Sequence, residues 1–302
     1  MSHIPTTCFS ATRLNATTFR IVEDDKWNEV PFIYLKLAPG TLVLIDTGCG
    51  GAAKDQSVEL KSLRTFIETY PVAENDGEPL NAGGGIEQFT SDESPIWASG
   101  YDRSFIEEPG RLPTSSLCRF FGMQTPDYRV SHWAGDGQSV VDCMGQNLGL
   151  TLYQTPGHTP DQLAIWDAAE RFLFVGDTLY EWAAILLSPP DGSLISYNQS
   201  IAKLKVLVDK WNHEPYSHEL APKVKIACGH ITCGGDAYDL LCDVDNTISD
   251  IAQGRIKSSK EDTQRGEEME LYEDEAGRIS FYGPKKTFCA FLEHPEALRR
   301  LV

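Results

Sequence analysis

The sequence predicts an α/β fold, and three observations point there. The segment TPGHTPDQLAIWDAAERFLFVGDT at 155–178 holds two short apolar runs, Leu163 to Trp166 and Phe172 to Val175, on either side of the turn Asp167-Ala168-Ala169-Glu170-Arg171. That pattern reads as two strands joined by a tight turn. Two further apolar runs, Leu42 to Ile45 and Val224 to Cys228, read as strands that end in Asp46-Thr47-Gly48 and Gly229-His230. Between and around them, Ala53 to Tyr70 (Val58, Leu60, Leu63, Phe66, Ile67) and Ile201 to Trp211 (Ile201, Leu204, Val206, Leu207, Val208) carry apolar residues at the spacing of a helix face.

The remaining elements follow in chain order. Thr18 to Val30 and Pro31 to Leu37 alternate as opening strands, 101–123 reads as a helical or irregular insert, and Tyr128 to Trp133 as another strand. Beyond Gly235 a helical segment runs to about Ile256 and precedes a charged stretch, Lys257 to Glu268. Met269 to Tyr272 and Ile279 to Tyr282 then form an expected hairpin across an Asp-Glu-Ala-Gly turn. There is no internal repeat and no low-complexity tract. With 302 residues and 41% hydrophobic content, the chain can bury a sizeable core as one domain. The expected division is a core at about 15–235 and a C-terminal helix-and-hairpin extension at 236–302, a candidate cover for the site or dimer surface.

Composition narrows the partners. Forty-four acidic against 26 basic residues give a net charge of −18, which opposes non-specific binding to nucleic acid or to anionic membranes. A small-molecule substrate is the expected partner. The N-terminus shows no basic flank followed by an apolar stretch, so no secretory signal is read there. The longest apolar run, Trp182 to Leu187, is far short of a membrane span. Eight dispersed cysteines read as reduced thiols, and a cytoplasmic location is expected.

The chemistry concentrates at three residues. A two-stranded ribbon over 163–175 brings its outer ends, and hence His158 and Asp177, to one edge of a sheet. The strand ending at Gly229 delivers a second imidazole, His230, at a strand terminus. Imidazole nitrogen and carboxylate oxygen suit zinc or iron, and open catalytic sites use about three such protein ligands plus water. Each residue also has an ordinary reading. His158 alone would be a surface-loop histidine, Asp177 a helix N-cap, and His230 a partner of Cys228 and Cys233 in a structural zinc site for which no fourth ligand is evident. The Asp46-Thr47-Gly48-Cys49-Gly50-Gly51 loop lacks both the dinucleotide fingerprint and a P-loop lysine. His132, beside Trp133, reads as a packed strand histidine.

Taken in order, LIDTG, PGHTPD, VGDT and CGH resemble the metallo-β-lactamase superfamily, over roughly residues 30–235. The resemblance implies a four-layer αββα sandwich with metals at one edge of its sheets, and metal-dependent hydrolysis, mostly with two zinc ions. His158, Asp177 and His230 match the third, fourth and fifth motifs of the family, in which the counterpart of Asp177 bridges the two metals. Asp46 matches the first, a carboxylate that supports the metal site without being a ligand.

The second motif of the family, HxHxDH, is absent from this chain. Seven histidines occur in all and none lies between His3 and His132. Gly83-Gly84-Gly85-Ile86-Glu87-Gln88-Phe89 has the look of the helix start that follows the motif. The preceding Glu74-Asn75-Asp76-Gly77-Glu78-Pro79 is a polar loop where the family has a buried strand. A strand and its motif, on the order of 15 residues, are therefore missing at this joint. A misplaced splice boundary, an alternative transcript and an evolved loss all produce such a gap. Three readings follow: a two-metal hydrolase acting on an ester, thioester, lactone, amide or phosphoester, incomplete as written; a mononuclear site of His158, Asp177 and His230; and a non-catalytic protein that keeps the fold.

Overall fold

The structure is a computed structural model that describes residues 3–84, 94–214, 222–264 and 266–294. The chain divides into two compact units, residues 1–94 with 140–149, and residues 95–139 with 150–302.

The first unit is built on an antiparallel meander of β1 (Phe9–Arg13), β2 (Thr18–Glu23), β3 (Phe32–Ala38) and β4 (Thr41–Ile45), hydrogen-bonded in that order. Phe19 faces Leu35 and Ile21 faces Ile33 across the ladder, and all four are buried. Successive side chains alternate between faces of a strand, so these residues share one face. Phe9, Leu60, Phe66, Ile67 and Leu80 join them in a single core. Helix α1 (Leu63–Thr69) supplies two of these residues. It starts at Ser62, whose hydroxyl accepts the Thr65 N–H at 3.2 Å.

Two expectations for this unit are corrected. The opening strand stops at Glu23 rather than Val30, because the buried Asp25 carboxylate accepts the N–H groups of Trp27 (2.8 Å) and Val30 (2.7 Å) and bends the chain into a turn. The helix expected from Ala53 occupies only 63–69, since Ser57 N–H and hydroxyl bond Asp55 instead of a helical carbonyl. Between β4 and β5 (Trp97–Ser99) the described residues contain no strand, only α1 and two 3-10 turns at Ala73–Asn75 and Leu80–Gly84. The expected helix start at 83–89 lies outside them from Gly85 onward. In consequence β4 is the edge of its sheet among the described residues. Leu42 and Val43 are half-buried and Leu44 is exposed, whereas every residue of β3 is buried.

The loop after β4 is closed on itself by Glu23. Its buried carboxylate accepts the N–H of Cys49 at 2.6 Å and of Gly51 at 2.7 Å. Burial pushes this carboxyl above its ordinary value, against the opposing pull of those two donors.

A sheet in the order β13-β12-β10-β9-β8-β7 combines β7 (Gln138–Val141), β8 (Asn147–Gln154), β9 (Leu163–Asp167), β10 (Phe172–Gly176), β12 (Lys225–Cys228) and β13 (Cys233–Asp236), and all of it but residues 140–141 and 147–149 belongs to the second unit. The expected ribbon is present, with Phe172 opposite Asp167. β10 and β12 are parallel, and α4 (Leu194–His213) lies between them in sequence. It is capped by Ser193, and α5 (Ala237–Ala252) by Asp236. Trp166 stacks on Trp211 of α4 at 4.2 Å, and Lys205 of α4 pairs with Asp245 of α5 at 2.5 Å.

A second sheet runs β11-β16-β15-β14, from β11 (Ala184–Leu186), β14 (Lys260–Gln264), β15 (Glu267–Glu273) and β16 (Ser280–Pro284). Helix α6 (Lys285–Leu292) follows. Ile279, Phe281, Phe288 and Phe291 are buried in the same core as Leu194, Ile201 and Leu204 of α4. The 101–123 insert contains α2 (Ser104–Glu107) and α3 (Arg111–Ser115). The expected 128–133 strand is reduced to β6 (His132–Ala134), paired in parallel with β5 (Trp97–Ser99).

Two glycines of the loop after β4 separate backbone strain from crowding. A Cβ on Gly51 (φ +75°) would lie 1.8 Å from the Lys61 carbonyl oxygen, whereas one on Gly50 (φ +70°) would meet nothing within 4 Å. Gly50→Ala is expected to cost about 1–2 kcal/mol for the left-handed backbone alone, and Gly51→Ala about 2–5 kcal/mol. Urea unfolding of the two variants measures the difference, and equal costs would contradict the packing of this loop.

Candidate functional site

The β9–β10 ribbon and the end of β12 place three ligand-type side chains together. His158 sits in the turn before β9, where Gly157 leaves no room for a side chain: a Cβ there would lie 2.4 Å from Tyr197 Cα. The turn is held on α4's N-terminal side by the Ser193 N–H, which donates to Gly157 O at 2.8 Å. His158 Nδ1 lies 2.5 Å from the Leu186 carbonyl. A carbonyl only accepts, so the ring carries its proton on Nδ1 and presents the Nε2 lone pair. That nitrogen faces Asp177 Oδ2 at 3.8 Å.

Asp177 follows β10 directly. Its other oxygen, Oδ1, faces His230 Nε2 at 3.5 Å, is buried and accepts no hydrogen bond among the described residues. The space around it depends on Gly229, where a Cβ would stand 2.4 Å from Oδ1. Gly229 N–H donates to Gly176 O at 2.7 Å, locking the ends of β12 and β10 together. His230 meets the Tyr180 ring edge-on at 5.9 Å.

The two imidazoles thus face different oxygens of one carboxylate. Separations of 3.5 and 3.8 Å are too long for hydrogen bonds. They match two donors on a shared ion, since bonds of about 2.0–2.2 Å at a tetrahedral angle separate donors by roughly 3.4 Å.

Asp46 belongs to the first unit, where it follows β4, is exposed and has φ 64°. His132 lies in β6 as expected of a strand histidine, but exposed, stacked on Trp97 at 4.5 Å. Cys228 is buried, and burial holds its thiol well above its ordinary value.

Several contributors carry no sequence signal. The loop at 186–193 supplies the Leu186 carbonyl that orients His158, and its Ser188 N–H donates to His158 O at 3.0 Å. Arg111 of the insert anchors that loop, pairing with Asp191 at 2.9 Å and with Asp102 at 2.8 Å. The Ser104 hydroxyl, followed by Arg111, keeps the Asp102 carboxyl below its ordinary range. Ile231, directly after His230, has φ 53°, and Thr232 N–H returns to His230 O at 2.5 Å, so Ile231 is the centre of a γ-turn. A β-branched residue there is a strained outlier costing about 1–3 kcal/mol.

The family profile of the metallo-beta-lactamase superfamily matches residues 93–211, which include His158 and Asp177. A curated relative, the putative transcription factor avaE of Aspergillus versicolor, is 33% identical over 288 residues, covering 88% of this chain and 84% of the relative. The chain belongs to the metallo-β-lactamase superfamily. Its α/β architecture of sheets and helices is that of the superfamily. Among solved structures, a metallo-beta-lactamase from Pontibacter korlensis is 17% identical, with a TM-score of 0.47 and coverage of 80% of this chain and 99% of that one. A metallo-beta-lactamase family protein from Thermus thermophilus is 16% identical, with a TM-score of 0.49 and coverage of 83% and 86%.

The residues present fit the metal that the superfamily implies only in part. The unpartnered Asp177 oxygen and the ligand-like spacings suit a cation on either side of the carboxylate. Yet each imidazole–oxygen pair offers two donors where zinc takes four, three of them from protein in a catalytic site. Among the described residues no group of three or more His, Cys, Asp or Glu is arranged to hold a metal. The segment between His3 and His132 has no histidine to add. A complete metal centre is therefore not formed by these residues.

The position of Gly229 is testable without metal. Gly229→Ala is expected to lose about 1–3 kcal/mol by driving its Cβ into Asp177 Oδ1. Gly235→Ala, where nothing lies within 4 Å, serves as the neutral reference. Equal unfolding midpoints for the two variants would contradict the close approach of β12 to Asp177.

Proposed function

We propose that the protein is a metal-dependent hydrolase of the superfamily's two-ion type whose centre is half-built in this sequence. The observation that supports this reading is the Asp177 carboxylate presenting one oxygen to each of two imidazoles. In that reading His158 and His230 would each serve one ion and Asp177 would span both. Zinc is the ion the donor set favours, with iron second. The reaction class is hydrolysis of a small ester, thioester, lactone, amide or phosphoester. As it stands the chain lacks the donors of HxHxDH, and it is a weak metal binder with little turnover.

The chain's own residues still perform two tasks. Leu186 fixes the tautomer of His158, so its Nε2 is ready to ligate without reorganisation. Gly229 leaves room for the partly buried carboxylate, and its N–H, donated to Gly176 O, holds β12 against β10. The curated relative's description as a putative transcription factor points to a different class of partner. A net charge of −18 disfavours binding to phosphate-rich nucleic acid here. No helix among the described residues is long and apolar enough to cross a membrane.

Metal stoichiometry tests this function. The 302-residue protein is compared with a version carrying an HxHxDH strand and loop restored before Gly84. Elemental analysis after dialysis is expected to find well under one tightly held ion per chain in the first and two in the second. Stoichiometric metal in the unrestored protein would overturn the half-built reading, and failure of the restored protein to gain metal would overturn the hydrolase reading.

A further inference from the structure

Two large apolar side chains stand in water beside the cluster. Trp182 is 63% exposed and Ile231 52% exposed. Both take left-handed backbones, φ 64° and 53°, which neither residue type favours. Their loops are not loose. Glu181 N–H donates to Thr232 Oγ1 at 2.9 Å, joining the residue before Trp182 to the residue after Ile231. Trp182 N–H donates to the Arg278 carbonyl at 2.8 Å, and the Arg278 guanidinium pairs with Glu181 at 2.9 Å. These bonds fix both apolar groups on the rim of the cluster. Ile231 directly follows His230, and Tyr180, two residues before Trp182, touches the His230 ring.

Within the chain, neither feature is repaid. An exposed isoleucine contributes no burial to the fold, and at its backbone angles glycine or asparagine would be less strained. Strain held by surrounding hydrogen bonds beside a reactive cluster marks a ligand-contacting position. We propose that Trp182 and Ile231 form an apolar lip that receives the acyl portion of the substrate, which selects esters, thioesters or amides of long aliphatic or aromatic acids. This rests on the hydrolase reading and narrows its substrate class.

The test uses the 302-residue protein without added metal, so that it is independent of metal stoichiometry. Neutral N-(2-hydroxyethyl) amides of butanoic, hexanoic and decanoic acids are titrated by calorimetry. Affinity is expected to rise with each methylene, by up to about fourfold at full burial. Ile231→Gly relieves the strained turn, so its melting temperature is expected to hold or rise while the chain-length dependence weakens. Trp182→Ala is expected to weaken that dependence too, without unfolding, because its side chain is exposed. Equal affinity for the short and long amides, or unchanged dependence in both variants, would overturn the lip while leaving the metal reading untouched.

Discussion

The Asp177 carboxylate is the constraint around which the second unit is arranged. A buried carboxylate oxygen without a donor costs on the order of 1–3 kcal/mol or more, and the chain concentrates other unfavourable features beside it. Gly157 and Gly229 give up their side chains so that the His158 turn and β12 can approach. Ile231 accepts a strained turn directly after His230. Against a net stability of about 5–15 kcal/mol such costs are substantial. They are intelligible if the fold is organised to present negative charge and two imidazoles to cations rather than to satisfy itself.

The first unit shows the complementary defect. β4 has the composition of an interior strand, Thr-Leu-Val-Leu-Ile, but stands at a sheet edge among the described residues, with Leu44 exposed. Natural sheets guard their edges with charge, proline or bulges, and β4 has none of these within its span. An apolar edge is what deleting a neighbouring strand would leave. The loss therefore registers twice, as too few metal donors and as a strand paired on one side only among the described residues. The first comes from chemistry and the second from backbone pairing, and neither depends on the other.

Much of this was legible in the sequence because it is local. The ribbon at 163–176 has period, turn and length in one stretch, and both strands and the approach of His158 to Asp177 followed from it. The strand leading to His230 was equally plain. Less legible were features set by partners distant in sequence. The Asp25 carboxylate ends β2 by capturing N–H groups further along, and the Asp55–Ser57 turn shortens α1. Phe281, Phe288 and Phe291 share a core with α4, a partner far back along the chain. Arg111's hold on the 186–193 loop spans 80 positions, beyond any pattern a sequence displays. The strain at Ile231 is likewise invisible until the γ-turn is seen.

A metal-binding strand belongs between the two halves of this sequence if β4 has lost its second neighbour. Reading the transcript across codons 70–94 tests it most directly. An in-frame segment, on the order of 15 codons, that encodes an apolar strand followed by HxHxDH is expected there. A transcript that runs from Tyr70 to Ser94 as this chain does, from a genomic locus with no such codons nearby, would contradict it.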